Sequence, residues 1–140
     1  MPSNAPKRIM PIITVPSVDD VRSFYVDTLG FDHQMGVVGK DGQYDFTVVV
    51  KDGASLMFSR SRDGNAPAAA AHQTVDIYIE VDDVDGYHDQ VKKNKAKITE
   101  PLTTQWWGDR TFKVQDPNGY QIWFFENTGQ PNPPEGVKIV

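Results

Sequence analysis

Three histidines, no cysteine and a few carboxylates on strand-like stretches carry most of the reactive chemistry in this 140-residue chain. The lack of cysteine removes thiolate nucleophiles, disulfides and cysteine-based zinc or iron–sulfur centres. His33 follows one helical stretch, His72 lies in a run of small residues, and His88 sits inside a second helical stretch, with neither HxH nor HExxH spacing. Histidines from three different elements read as exposed or locally satisfied, with His72 the most interesting because it precedes the run "TVDIYIEV". Strand alternation on that run sets Asp76, Tyr78 and Glu80 on one face and Ile77, Ile79 and Val81 on the other. A carboxylate on the inner face of a sheet must be hydrated, paired or ligand-bound. Asp76, Glu80 and His72 are therefore the candidates for a general base or for fixing a cationic amine. The acidic run "IEVDDVD" lacks calcium-loop spacing and reads as helix capping. No GxSxG elbow and no Gly-rich phosphate loop is present.

The elements that must position these residues repeat. Sliding the chain against itself by 66 positions aligns Ile13 with Ile79, Val15 with Val81, Asp19 with Asp85, Phe46 with Phe112, Val48 with Val114 and Phe58 with Phe124. Each half opens on an alternating apolar strand, "IMPIITV" or "TVDIYIEV". Each strand runs into helix-start chemistry, Ser17 with Asp20 in the first half and Asp82 with Asp85 in the second. The helices follow as "VDDVRSFYVDTLG", ended by Gly30, and "VDGYHDQVKKNKA". Two hairpins come next, turning at Asp52-Gly53 and at Asn118-Gly119. A short strand is expected near "HQMGVV" and another near "KITEPL". The expected organisation is α+β: a first βαβββ module over 8–61, a small-residue linker over 62–73, a second module over 74–127, and an extended Pro/Gly-rich tail over 128–140.

Composition sets the outer limits. With 39% hydrophobic and 24% charged residues, the chain has the profile of a globular protein, and no run of about 18 apolar residues crosses a membrane. Net charge is −5 and the pI is near 5.0, which argues against a nucleic-acid surface. The one basic cluster, "KKNKAK", fits the solvated end of a helix. The opening "MPSNAPKRIMPIITV" has no charged segment followed by a long apolar core, so a cytoplasmic location is the expectation.

Three stretches, "VPSVDDVRSFYVDTLGF", "VDDVDGYHDQV" and "WWGDRTFKVQDPNGYQIWFFE", resemble the glyoxalase/bleomycin-resistance/extradiol-dioxygenase superfamily, the vicinal oxygen chelate proteins. The resemblance runs from about Met10 to Glu126 and rests most on Arg110, Asp116, Pro117 and Gly119. It implies paired βαβββ modules forming a curled mixed sheet around a cleft, in a homodimer. Enzymes of this superfamily hold a divalent metal on the first and last strands of each module, and those positions fall here at Met10, Asp76, Met57 and Trp123. Thioethers and an indole offer nothing to a hard divalent ion, and the single carboxylate of Asp76 falls short of the three protein ligands a catalytic site keeps, so no metal and no other cofactor is expected. The inward set becomes Met10, Ile12 and Thr14, then Ser55, Met57 and Ser59, then Gln121, Trp123 and Phe125. Met10, Met57, Asp76, Tyr78, Trp106, Trp107, Trp123 and Phe125 are the expected ligand-binding residues. Of the adjacent pair Trp106 and Trp107, one side chain should point inward and one outward, and Arg110 and Asp116 should be structural. The closest resemblance in character is to the bleomycin-resistance branch, which implies sequestration of a small aromatic or cationic molecule rather than catalysis. A lyase, isomerase or dioxygenase of the same superfamily is the alternative.

Overall fold

The computed structural model describes residues 4–61 and 75–140 and falls into two compact units, Met1–Pro67 and Ala68–Val140. The expected linker over 62–73, and His72 within it, lie outside the described residues. In the first unit β1 (Ile12–Val15) leads to α1 (Val18–Ser23), which continues as a π-helical turn, Phe24–Thr28. Then come β2 (Asp32–Val38), β3 (Tyr44–Lys51) and β4 (Ala54–Arg60). The second unit repeats the order with β5 (Ile77–Glu80), α2 (Val84–Lys93), β6 (Lys97–Thr104), β7 (Asp109–Gln115) and β8 (Gln121–Asn127). Each forms a four-stranded mixed sheet, β1-β4-β3-β2 and β5-β8-β7-β6, in which only the outer pairs β1·β4 and β5·β8 run parallel. The α+β fold and the tandem βαβββ modules expected from the repeat are both present. β2 and β6, expected to be short, run to seven and eight residues.

Caps and burial fix the helices. Ser17 caps α1, its hydroxyl accepting from the Asp20 N–H at 3.1 Å, as the sequence implies. For α2 the cap is Asp83 rather than the expected Asp82; its carboxylate accepts from the Gly86 N–H at 3.1 Å. The choice follows from packing: starting the helix at Val84 buries both Val84 and Val91, seven residues apart on one face. α2 stops at Lys93, short of the expected Ala96. In the first unit Val18, Val21, Tyr25 and Leu29 bury against the sheet with Val15, Val49 and Phe58. In the second, Tyr87 of α2 packs on Phe124, centroids 4.8 Å apart, and Phe124 stacks on Phe112 at 5.3 Å.

The two hairpins differ by one residue, which matters for the site. Lys51 pairs with Ala54, so Asp52 and Gly53 form the two-residue turn expected. In the second hairpin the pairing runs through Gln115 and Gln121, and the Asp116 N–H donates to the Tyr120 carbonyl at 2.9 Å. The loop is therefore three residues, Pro117 to Gly119, with Gly119 at φ +88° in the left-handed position such loops require. Asp116 holds this turn together. Its carboxylate accepts from the Asn118 N–H at 2.9 Å and the Tyr120 N–H at 2.8 Å, with the residue only 5% exposed.

Burial pushes the Asp116 carboxyl up to about 6, with the N–H groups of Tyr120, Asn118 and Gly119 pulling the other way. Because the folded value lies above the ordinary 3.8, the folded state holds this proton more tightly than the unfolded chain. Its contribution is complete below about pH 4 and is lost as pH rises through about 6. Roughly 3 kcal/mol is the largest change a shift of this size allows. Denaturant melts from pH 4 to 7 should show that decline in the wild type and a flatter profile in Asp116→Asn, which keeps an acceptor oxygen without a titrating proton. Parallel profiles would show that Asp116 does not carry it.

Candidate functional site

Alternation on β8 builds the site. Ile122 and Phe124 are fully buried on the side of α2, so Gln121, Trp123 and Phe125 take the opposite face. On β5 the same rule buries Ile79 and turns Tyr78 and Glu80 outward, with Tyr78 the direct partner of Trp123 and Glu80 that of Phe125. The rings meet: Tyr78 stacks on Phe125 at 4.3 Å and tilts against Trp123 at 5.7 Å. Trp107, from the loop before β7, stands edge-on to Trp123 at 6.3 Å, and Trp106 stands edge-on to Trp107 at 5.6 Å. Trp107 is half-buried and Trp106 is the more exposed of the pair.

Two polar atoms of this cluster, the Tyr78 hydroxyl and the Trp107 indole N–H, are engaged with each other. The Tyr78 hydroxyl donates to the Asp109 carboxylate at 2.7 Å and accepts from the Trp107 indole N–H at 3.0 Å. The Asp109 carboxylate also accepts from the Asn127 amide at 3.0 Å. Partial burial, then the Asp109 bond, push the Tyr78 phenol up to about 12, so it stays protonated at ordinary pH. The tail is joined to the same assembly. The N–H groups of Thr128 and Gly129 donate to the Gly108 carbonyl, and the Asn132 N–H donates to the Trp106 carbonyl at 2.6 Å.

Lys113, Asp109 and Asn127 belong to this face as well, placed there by pairing between strands that no local pattern encodes. The Lys113 ammonium lies 3.9 Å from the Trp123 ring centroid and 3.4 Å from the Glu100 carboxylate. Lys113 is the direct partner of Trp123. The ungapped 66-residue offset aligns Val114 with Val48, but Val114 is buried on the helix side, while Val48 pairs with Met57. The three-residue loop shifts β7 by one, and a one-residue shift turns every side chain over.

The remaining candidates sit elsewhere. Met57 lies on β4 of the first unit, paired with Ile12 on one side and Val48 on the other. Met10 and Asp76 were expected on the first strands, but β1 begins at Ile12 and β5 at Ile77, so both precede their strands. Asp76 and Glu80 are exposed. Arg110 lies on the helix side and grips Asp85 of α2 with bonds of 3.0–3.2 Å, holding that carboxyl below its ordinary range. His33 accepts from the Arg22 guanidinium at 2.9 Å, and His88 stands edge-on to Phe112 at 5.1 Å.

Residues 7–124 match the family described as the glyoxalase/bleomycin resistance protein/dioxygenase superfamily. The chain belongs to this superfamily. Its fold is shared with the bleomycin-binding protein from bleomycin-producing Streptomyces verticillus, solved with copper(II)-bleomycin, at 26% identity and a TM-score of 0.68, covering 91% of this chain and 100% of that one. TioX from Micromonospora sp. ML1 is similar at 20% identity and a TM-score of 0.71, covering 87% of this chain and 99% of that one. TnmS3, an antibiotic binding protein from Streptomyces sp. CB03234, is similar at 20% identity and a TM-score of 0.64, covering 89% and 100%. No curated protein matches the chain in sequence.

The positions at which the family resemblance implies a divalent metal, Met10, Met57, Asp76 and Trp123, offer one carboxylate between them, Asp76, which is exposed and precedes its strand. The partners that face each other in register are Ile12 with Met57 and Tyr78 with Trp123. An aliphatic chain, a thioether and an indole N–H supply no hard donor, and the Tyr78 hydroxyl is engaged with Asp109. Among the described residues, no three of His, Cys, Asp and Glu come together as a metal-binding group.

Proposed function

We propose that this superfamily member binds a small planar molecule, aromatic and cationic, against the aromatic face of its second module, without a metal and without transforming it. The observation that carries this reading is the cluster of Tyr78, Trp107, Trp123 and Phe125, in which the Tyr78 hydroxyl and the Trp107 indole N–H are satisfied within the protein. Such a surface offers ring faces and few free hydrogen-bonding atoms, so it selects by shape and stacking, and it discriminates only modestly between similar rings. Exposed carboxylates at Glu80 and Asp76 and a net charge of −5 favour a cation over an anion. Likeness to a bleomycin-binding protein adds support. The Trp106 side chain, exposed at the rim, completes the ligand face. Sequestration needs no catalytic group, and Asp76, Glu80 and His72 are assigned none.

The working unit in this proposal is a cytoplasmic homodimer with no nucleic-acid partner. Exposed Met35, Val37 and Val38 along the edge strand β2 are the kind of surface a second copy covers. The test is elemental analysis of the purified protein, the mass from light scattering, and a titration with a planar cation such as proflavine followed by tryptophan fluorescence. Saturable quenching by metal-free protein, at twice the chain mass, is expected. One metal ion per chain, with quenching lost on chelation, would instead favour a metal-dependent lyase, isomerase or dioxygenase.

A further inference from the structure

The Trp123 ring is already occupied by a cation belonging to the protein. Lys113 reaches across from β7 to set its ammonium 3.9 Å from the ring centroid, and its side chain is only 23% exposed. A second partner stands beside it, the Glu100 carboxylate of β6 at 3.4 Å. Glu100 is the direct partner of Lys113 across the β6·β7 ladder, so both charges sit on the face that carries Trp123. The ammonium is thus shared between a ring and a carboxylate, and either can hold it. The other groups at the ring are fixed: Tyr78 is tied to Asp109 and Trp107 to Tyr78. Among the described ring and cation contacts of Trp123, Lys113 alone has a long flexible stem and an alternative partner within reach.

We propose that Lys113 is an internal competitor that covers the Trp123 ring in the free protein and swings onto Glu100 when a planar cation stacks there. The proposal rests on the aromatic face being the ligand site and names the residue that sets its affinity and charge preference. Its logic is exchange. A ligand that stacks on Trp123 must displace the resident cation, and its own positive charge is favourable at the same ring. Glu100 receives the displaced ammonium, so the charge is not left unpaired. An anion gains nothing from this exchange beyond what Glu100 already takes from Lys113.

The experiment compares proflavine, a planar cation, with 1-anilinonaphthalene-8-sulfonate, an aromatic anion, on wild-type protein and three variants. Lys113→Met keeps the length of the side chain and removes the competing charge. It is expected to bind proflavine about tenfold more tightly, the scale set by one cation–π contact plus a freed carboxylate. Glu100→Gln leaves Lys113 without its alternative and is expected to weaken proflavine about threefold. Lys113→Arg retains a cation on the ring and should stay within about twofold of wild type, which shows that charge and not packing is read. Circular dichroism melts establish that each variant folds, and the Lys113→Arg and Glu100→Gln results stand even where Lys113→Met does not fold. Equal proflavine affinity in wild type and Lys113→Met, or a sulfonate that gains as much from Lys113→Met as proflavine does, would overturn the exchange. The latter result would make Lys113 a steric cover and not a competing charge. No saturable binding of either dye by any of the four proteins would instead sink the aromatic face as a ligand site, and the exchange with it.

Discussion

Replacing Gly108 with alanine lowers the unfolding free energy by about 3 kcal/mol and the melting temperature by roughly 10 °C. Two independent costs add. Gly108 sits at φ +101°, where a side chain is strained by about 1–2 kcal/mol. A Cβ built there runs into the Gly129 carbonyl oxygen, and that oxygen is backbone, so the tail must move away. Moving it breaks the bonds by which Thr128 and Gly129 donate to the Gly108 carbonyl, each worth about 1 kcal/mol. The effect reaches the site, because the same loop carries Trp106 and Trp107. Gly129→Ala is the matched control: its Cβ meets nothing within 4 Å, and its expected effect is under about 1 kcal/mol. Thermal melts followed by circular dichroism decide it, and equal melting temperatures for the two variants would refute the account.

Trp123→Ala removes the centre of the aromatic face and is expected to weaken proflavine by about 10- to 100-fold, the range for losing one stacking platform. Tyr78, Trp107 and Lys113 all contact this ring, so its loss also leaves three neighbours without their partner. Trp123→Phe separates those effects. It keeps an aromatic face of smaller area and should retain binding within about fivefold of wild type. Trp106→Ala, which touches the cluster only through Trp107, should change affinity less than about threefold. Fluorescence titration reads all three. Wild-type affinity in a folded Trp123→Ala protein would move the ligand away from this face.

The fold was legible in the sequence for a physical reason. Each module buries one helix on one side of a sheet, and that demand writes itself into the chain as period-two and period-3.6 patterns that repeat 66 residues apart. Turn chemistry at Asp52-Gly53 and the cap at Ser17 are local, so they too were visible. Local signals also put Trp123 and Phe125 on one face of β8, and Tyr78 on the polar face of β5, since alternation within a strand needs only the strand itself. That Asp83 and not Asp82 caps α2 was beyond such signals, because the choice depends on which start buries Val84 and Val91.

What only the tertiary structure decided is who stands across from whom. An Asn118-Gly119 pair reads as a two-residue turn, and a two-residue turn would set Val114 opposite Trp123. Asp116, buried and tied to the N–H groups of Asn118 and Tyr120, closes a three-residue loop instead. That one residue moves Val114 onto Ile122 in the core and brings Lys113 beside Trp123. The Asp109–Asn127 bond and the anchoring of the tail to Gly108 are of the same kind, joining residues 18 and more positions apart. Sequence pattern determines which face a side chain takes along its own strand. Register between strands is set by the loop that joins them and by the core that accepts or rejects each pairing, and neither is written in the strand itself.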